Sequence, residues 1–168
     1  MNFKCVVCGR DISMPYTKVA DYLLDAEQEL FCSLACLRFY LNSRNTNSTT
    51  VQVMPAVVSK NDYTYYDRYF KMFFRSEYEA YVYSWLKFCF PDVAYETHTL
   101  VLGETKTYTP DFYIPRSNTY VEVKGRWGFG AKTKVREARK RGIRMVIIPW
   151  TMRPLFVDFR RSKGYEVS

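Results

Sequence analysis

Histidine is almost absent: His98 is the single one in 168 residues. Chemistry built on paired imidazoles is therefore excluded, although one histidine acting alone is not. Long apolar runs are missing as well. No stretch approaches the roughly 20 apolar residues of a membrane span, and no basic-then-apolar leader opens the sequence. An intracellular protein that does not enter a membrane is expected. Internal repeats are absent, which removes solenoid architectures. Disorder is not expected either, because 48% hydrophobic and 25% charged residues can build and solvate a core.

What the chain has in excess is positive charge, and it is unevenly placed. The formal net charge is +8. Residues 1–44 carry five basic and five acidic side chains, and residues 45–123 carry seven and nine. Residues 124–168 carry thirteen and three, a local net charge of +10. A basic field beside a neutral body favours a polyanion, and nucleic acid is the commonest large one. The plainer alternative is a solvated basic surface without a ligand.

Four of the five cysteines lie in two short pairs, Cys5-x2-Cys8 and Cys32-x3-Cys36. Four thiolates at such spacings can close a tetrahedral zinc site with no open position, which is a structural role. Gly9 follows the first pair, where a knuckle turn often needs positive φ. The second pair falls in Leu30–Tyr40, read as a helix carrying Cys32 and Cys36 one turn apart on one side. A knuckle followed by such a helix resembles treble-clef-like zinc fingers. Two disulfides are the alternative, unsupported by any secretion signal. About 40 residues rarely bury enough apolar surface to fold alone, so a metal would supply much of the folding free energy.

The expected organisation is a four-cysteine zinc-binding module over 1–44, a linker or long loop over 45–62, and a larger domain over 63–168. Ser76 followed by Glu79 is a capping box that starts a helix reaching Phe90 and stopped by Pro91. Three extended runs follow, over 93–102, 105–114 and 118–124, and Pro115–Asn118 turns the last two into an antiparallel hairpin. A helix over 131–142 and a buried strand over 143–148 complete an α/β order. The aromatic run Tyr63, Tyr65, Tyr66, Tyr69, Phe70, Phe73 and Phe74 reads as core or interface, with a base-stacking surface as the sharper alternative. His98 and Cys89 read as structural.

The hairpin carries the chemistry. Glu122 and Lys124 stand two apart on one strand and so face the same side, with Asp111 across from them. Two carboxylates with the backbone carbonyl of Val123 suit Mg²⁺ or Mn²⁺, hard ions that prefer oxygen. Lys124 can offset charge developing on a phosphate.

Phe74-Arg75-Ser76-x-x-Glu79-Ala80, Tyr95-Glu96, Tyr108-Thr109-Pro110-Asp111-Phe112 and Val121-Glu122-Val123-Lys124-Gly125 together resemble the PD-(D/E)xK nuclease superfamily. The likeness is strongest to its small phage branch, which includes junction-resolving endonucleases, and it covers roughly residues 70–150. The resemblance implies a restriction-endonuclease-like core, a mixed central sheet flanked by helices. It implies Mg²⁺-dependent hydrolysis of DNA phosphodiesters leaving 5′-phosphate and 3′-hydroxyl ends. Asp111 and Glu122 match the metal carboxylates, Lys124 the lysine, and Glu79 the helix glutamate that supports the site. The cytoplasm of a bacterial host is implied if the chain is phage-encoded. The N-terminal zinc module departs from the minimal resolvase and leaves open whether it binds DNA, mediates a homodimer or braces the fold.

DNA backbone contacts are expected from Lys132, Lys134, Arg136, Arg139, Lys140 and Arg141 on the basic helix. A branched-DNA substrate is favoured over a sequence-specific homing or restriction enzyme, since no helix offers base-reading Asn, Gln and Arg at groove spacing. A non-catalytic nucleic-acid-binding protein on a nuclease scaffold is the other alternative. Each residue also has a bland role available: a capping partner for Glu79, a turn salt bridge for Asp111, and an exposed cross-strand pair for Glu122 with Lys124.

Overall fold

The structure is a computed structural model and describes residues 2–13, 28–47, 49–128 and 130–168. Residues 14–27 of the expected N-terminal module lie outside the described residues. The chain opens with a short hairpin, β1 (Asn2–Lys4) and β2 (Asp11–Ser13), and then helix α1 (Leu34–Asn42). Next come β3 (Gln52–Pro55), a second hairpin of β4 (Tyr65–Asp67) and β5 (Met72–Phe74), and helix α2 (Glu77–Cys89). Strands β6 (Ala94–Tyr95), β7 (His98–Val101), β8 (Thr107–Tyr108), β9 (Phe112–Ile114) and β10 (Thr119–Lys124) follow. Helix α3 (Ala131–Lys140), strand β11 (Met145–Pro149) and helix α4 (Arg153–Ser162) end it. The architecture is mixed α/β.

The central sheet has the order β11-β10-β9-β6. β9 and β10 form the expected antiparallel hairpin, whereas β10 and β11 run parallel. A parallel neighbour needs a crossover, and α3 supplies it. Because β10 is interior, both of its faces are covered. Val121 and Val123 join Phe112, Ile114, Val146 and Ile148 in a core closed by α2 and by Phe156 of α4. Tyr120 joins Met145 and Ile147 under Val135 and Ala138 of α3, together with Leu100, Leu102 and Tyr108. The side of β10 that bears Glu122 is therefore buried, not exposed as in a surface cross-strand pair.

Three sequence boundaries shift, each for a local reason. Residues 93–102 are two strands in different sheets, because Glu96 adopts φ +47 and turns the chain between them. Residues 105–114 likewise divide at Thr109-Pro110-Asp111, where proline has no N–H to give a ladder. The first helix starts at Leu34 because Ser33 caps it, its hydroxyl accepting the Cys36 N–H at 3.2 Å. Cys32 therefore precedes the helix and does not ride on it.

The expected linker over 45–62 is corrected as well. It contains β3, which pairs antiparallel with β7 in a three-stranded sheet, β3-β7-β8. Asn45 is pinned by its N–H to the Ser117 carbonyl at 2.8 Å and by its amide to the Gly142 carbonyl at 3.2 Å. Arg144 donates to the Tyr40 carbonyl at 2.7 Å and the Ser43 hydroxyl at 2.9 Å, which fastens the end of α1 to the central sheet. Phe31, Leu37 and Leu41 belong to the same core as α2. The polar composition of this stretch thus marks backbone pinned by hydrogen bonds. Among the described residues no helix is long and apolar enough to cross a membrane.

Candidate functional site

The four cysteines converge. Their Sγ atoms all lie within 4.8 Å of one another, with Cys8 to Cys32 at 3.5 Å and Cys32 to Cys36 at 3.8 Å. A tetrahedron with metal–sulfur bonds of about 2.3 Å has edges of about 3.8 Å. All four thiols are free, so the two-disulfide alternative is not what the structure holds. The knuckle forms as its residues dictate: Gly9 takes φ +72 and its N–H closes onto the Cys5 carbonyl at 2.9 Å. Burial works to raise the Cys5 thiol, but the backbone N–H groups of Cys8, Cys32 and Val7 outweigh it and bring it down to about 6. Cys32 moves the other way, to about 12, through burial and its bonds to the neighbouring thiols. This set can hold a structural metal ion such as zinc.

The second assembly is a polar cleft of about 440 Å³ at the end of the central sheet. Glu79, Asp111, Glu122, Val123 and Lys124 line it, along with Arg75, Tyr108 and Lys134. Four separate stretches of sequence deliver these side chains. Glu79 comes from the first turn of α2, Asp111 from the bend just before β9, Glu122 to Lys124 from the end of β10, and Lys134 from the start of α3.

Hydrogen bonds fix each group. The Asp111 carboxylate accepts the Val123 N–H at 2.7 Å, and the Asp111 N–H points at Glu122 Oε2 at 3.3 Å. Lys124 is paired directly with Glu122 Oε1. Ser76 and Glu79 make the expected cap, with the Glu79 N–H donating to Ser76 Oγ at 3.2 Å and the Ser76 hydroxyl donating to Glu79 Oε1 at 2.9 Å. Capping leaves the other oxygen available, and Tyr95 donates to Glu79 Oε2 at 2.7 Å. Glu79 is therefore both a cap and a cleft residue.

Burial raises Asp111 well above the carboxylate range, and the charges of Glu122 and Glu79 push it further. Glu79 is raised by burial too, against its bonds from Tyr95 and Ser76. Burial works to lower Lys124, but Glu122 and Asp111 outweigh it and hold the ammonium above its usual value. The cleft thus gathers three buried carboxyl groups around the Lys124 ammonium. No family model, curated protein or solved structure matches the chain. The chemistry is therefore argued from these side chains. The three carboxylates do not close into a set as tight as the cysteines, and each already has a protein donor.

Sequence reasoning gives no role to Arg75, Tyr95, Glu96 or Tyr108. Arg75 pairs with Glu96 at 2.6 Å, and Glu96 also accepts the Tyr63 hydroxyl at 2.9 Å. The Arg75 N–H in turn donates to the Tyr95 hydroxyl at 3.0 Å, so Tyr95 links Arg75 to Glu79. The Tyr95-Glu96 pair is the available signal. His98 bonds Tyr120 at 2.9 Å and does not line the cleft.

Of the six cations expected to contact DNA, Arg139 and Arg141 are engaged within the protein. Arg139 donates to the Met145 carbonyl at 3.1 and 2.7 Å and pairs with Glu29 at 2.8 Å, so its guanidinium ties α3 to β11 and to the residues before α1. Arg141 pairs with Glu137 at 3.0 Å. Lys134 reaches the cleft, Lys132 lies 5.9 Å from the Trp127 ring, and Arg136 and Lys140 are exposed.

Proposed function

We propose that this chain is a metal-dependent DNA endonuclease with a restriction-endonuclease-like core, acting on branched or otherwise structured DNA, and braced by a zinc-bearing N-terminal module. One observation carries the reading. Glu79 from α2, and Asp111, Glu122 and Lys124 from the two arms of the β9–β10 hairpin, which the PD-(D/E)xK pattern singles out, meet in one buried cleft. A salt bridge on a turn or an exposed cross-strand pair would not require that convergence.

The donor set fits a divalent oxygen-seeking ion. Asp111 and Glu122 would hold it together with the Val123 carbonyl, and a cation would relieve the burial and neighbouring charge that raise Asp111. Such an ion supplies Lewis-acid polarisation of a phosphodiester and a water acidic enough to attack near neutral pH. The chain's own groups do the rest. Lys124, kept charged by its neighbours, faces the negative charge that accumulates on phosphorus oxygens. Glu79, oriented by Ser76 and Tyr95, adds a fixed acceptor to the cleft lining. Arg75 and Lys134 flank the carboxylates and can position the phosphate backbone.

The test is cleavage of matched linear, nicked, single-stranded and four-way-junction DNA with and without Mg²⁺. Wild-type protein should cut the junction only when Mg²⁺ is present, and Asp111→Asn or Glu122→Gln should bind DNA without cutting it. Cleavage at wild-type rates by either variant refutes the assignment.

A further inference from the structure

The β4–β5 hairpin presents two large rings to solvent. Tyr66 is 46% exposed and Phe73 59%, and as a cross-strand pair their ring centroids lie 4.8 Å apart. Their strand neighbours Tyr65 and Phe74 point the other way and pack on the core. The rings cannot be explained as misplaced core residues, because the hairpin is anchored firmly. Asp67 accepts the N–H groups of Tyr69 and Phe70 at 3.0 Å each and pairs at 2.8 Å with Arg160, both side chains 1% exposed. A rigid ribbon holding aromatic faces outward is what a binding surface requires.

Three features specify the occupant. Phe73 stands two residues before Arg75, which follows β5 and lines the carboxylate cleft. Two residues of chain span at most about 7 Å, about two stacked nucleotide steps of 3.4 Å. The connecting turn adds exposed Arg68 and Lys71, which suit a phosphate backbone. Resting on the nuclease reading above, we infer that the outer face of this hairpin is a base-stacking platform. It takes an unpaired base within a few nucleotides of the phosphate held in the cleft. Stacking needs a base free of its duplex neighbours, so the platform selects DNA with a branch, bulge or single-stranded arm over matched duplex.

The experiment measures binding by full-length protein carrying Asp111→Asn, in EDTA, to two probes: a matched duplex, and the same duplex with a bulged 2-aminopurine. Adding Tyr66→Ala with Phe73→Ala should lower affinity for the bulged probe about tenfold or more and remove the quenching of 2-aminopurine. Affinity for the matched duplex should stay within about twofold. Phe73→Trp should keep the preference, and Phe73→Leu, which retains bulk but no π face, should lose it. Equal losses on both probes, or a Leu variant that keeps the preference, overturn the platform. Unchanged affinity on both probes also overturns it. Cleavage by the otherwise wild-type chain is read separately. Its failure on every DNA removes the nuclease reading, while the binding comparison still decides the platform.

Discussion

Asp111→Asn should make the protein more stable in the absence of divalent ions while destroying its response to them. Asp111 is 7% exposed and is raised by burial and by the charges of Glu122 and Glu79. A carboxyl whose pKa is higher folded than unfolded binds its proton more tightly in the native state. Stability therefore falls as pH rises from about 4 toward the folded value, and the penalty is fully present above it. Two unit charges roughly 6 Å apart at an effective dielectric near 20 repel by about 3 kcal/mol. Protonation and Lys124 already relieve part of this, so the neutral amide should gain about 1–2 kcal/mol near pH 8. The amide oxygen can still accept the Val123 N–H, which keeps the local geometry. For a chain of this size each kcal/mol moves Tm by about 2–4 °C. Thermal melts in EDTA should thus place the variant above wild type at pH 8, with the gap closing toward pH 4. Mg²⁺ should raise the wild-type Tm, increasingly with pH, and leave the variant unmoved. A variant no more stable than wild type in EDTA, or one with an equal Mg²⁺ response, refutes the argument that Asp111 sits in a charge-frustrated metal site.

The protein should purify with about one zinc per chain, and Cys5→Ser or Cys32→Ser should lower that content and increase proteolysis before residue 44; protein free of metal, or a mapped Cys5–Cys8 disulfide, ends that reading. Replacing Lys134, Arg136 and Lys140 with alanine should flatten the slope of log affinity against log salt by up to about three units on every DNA, and an unchanged slope would make α3 a solvated face. Arg139→Ala should instead lower folding stability by about 1–3 kcal/mol, seen in the urea midpoint, because the Met145 carbonyl and Glu29 lose their donor. Intact stability with strongly weakened DNA binding would return Arg139 to the nucleic-acid surface.

The parts of the site that can be read from the sequence share one property: local spacing decides them. Two residues apart on a strand places Glu122 with Lys124, Ser76 with Glu79 marks a helix start, and Cys-x2-Cys before Gly9 marks a knuckle. The hairpin of β9 and β10 follows from its turn for the same reason. What stays hidden depends on contacts far apart in sequence. Nothing near Asn45 announces that Ser117 and Gly142 hold it, so a strand-bearing stretch reads as a linker. The burial of Glu122 is equally invisible locally, because the parallel partner β11 and the covering helix α3 come from later in the chain. Glu96 is visible in the Tyr95-Glu96 pair, but its role is not, because its positive φ and its grip on Arg75 are tertiary facts.

The basic surplus of the last 45 residues makes the same point about charge. Composition alone suggests that most of these cations face a polyanion. Several instead balance the rest of the chain. Arg139 serves Glu29, Arg153 serves Glu77 at 2.5 Å, Arg160 serves Asp67, and Lys124 serves Glu122. Arg144 caps carbonyls at the end of α1. The near-neutral first 123 residues are therefore tied to the basic last 45 by ion pairs. The exposed cations Arg126, Arg136, Lys140, Arg161 and Lys163 are spread over the α3 crossover and α4. Of the basic side chains on α3, Lys134 lines the cleft itself, and Arg126 follows the cleft residue Lys124 by two positions. If the chain binds DNA as proposed, the surface is narrower than the net charge implies. It would run from Phe73 and Arg75 across the carboxylates to the start of α3, and substrate selectivity would then depend on what the strand presents beside the cleft and not on total charge.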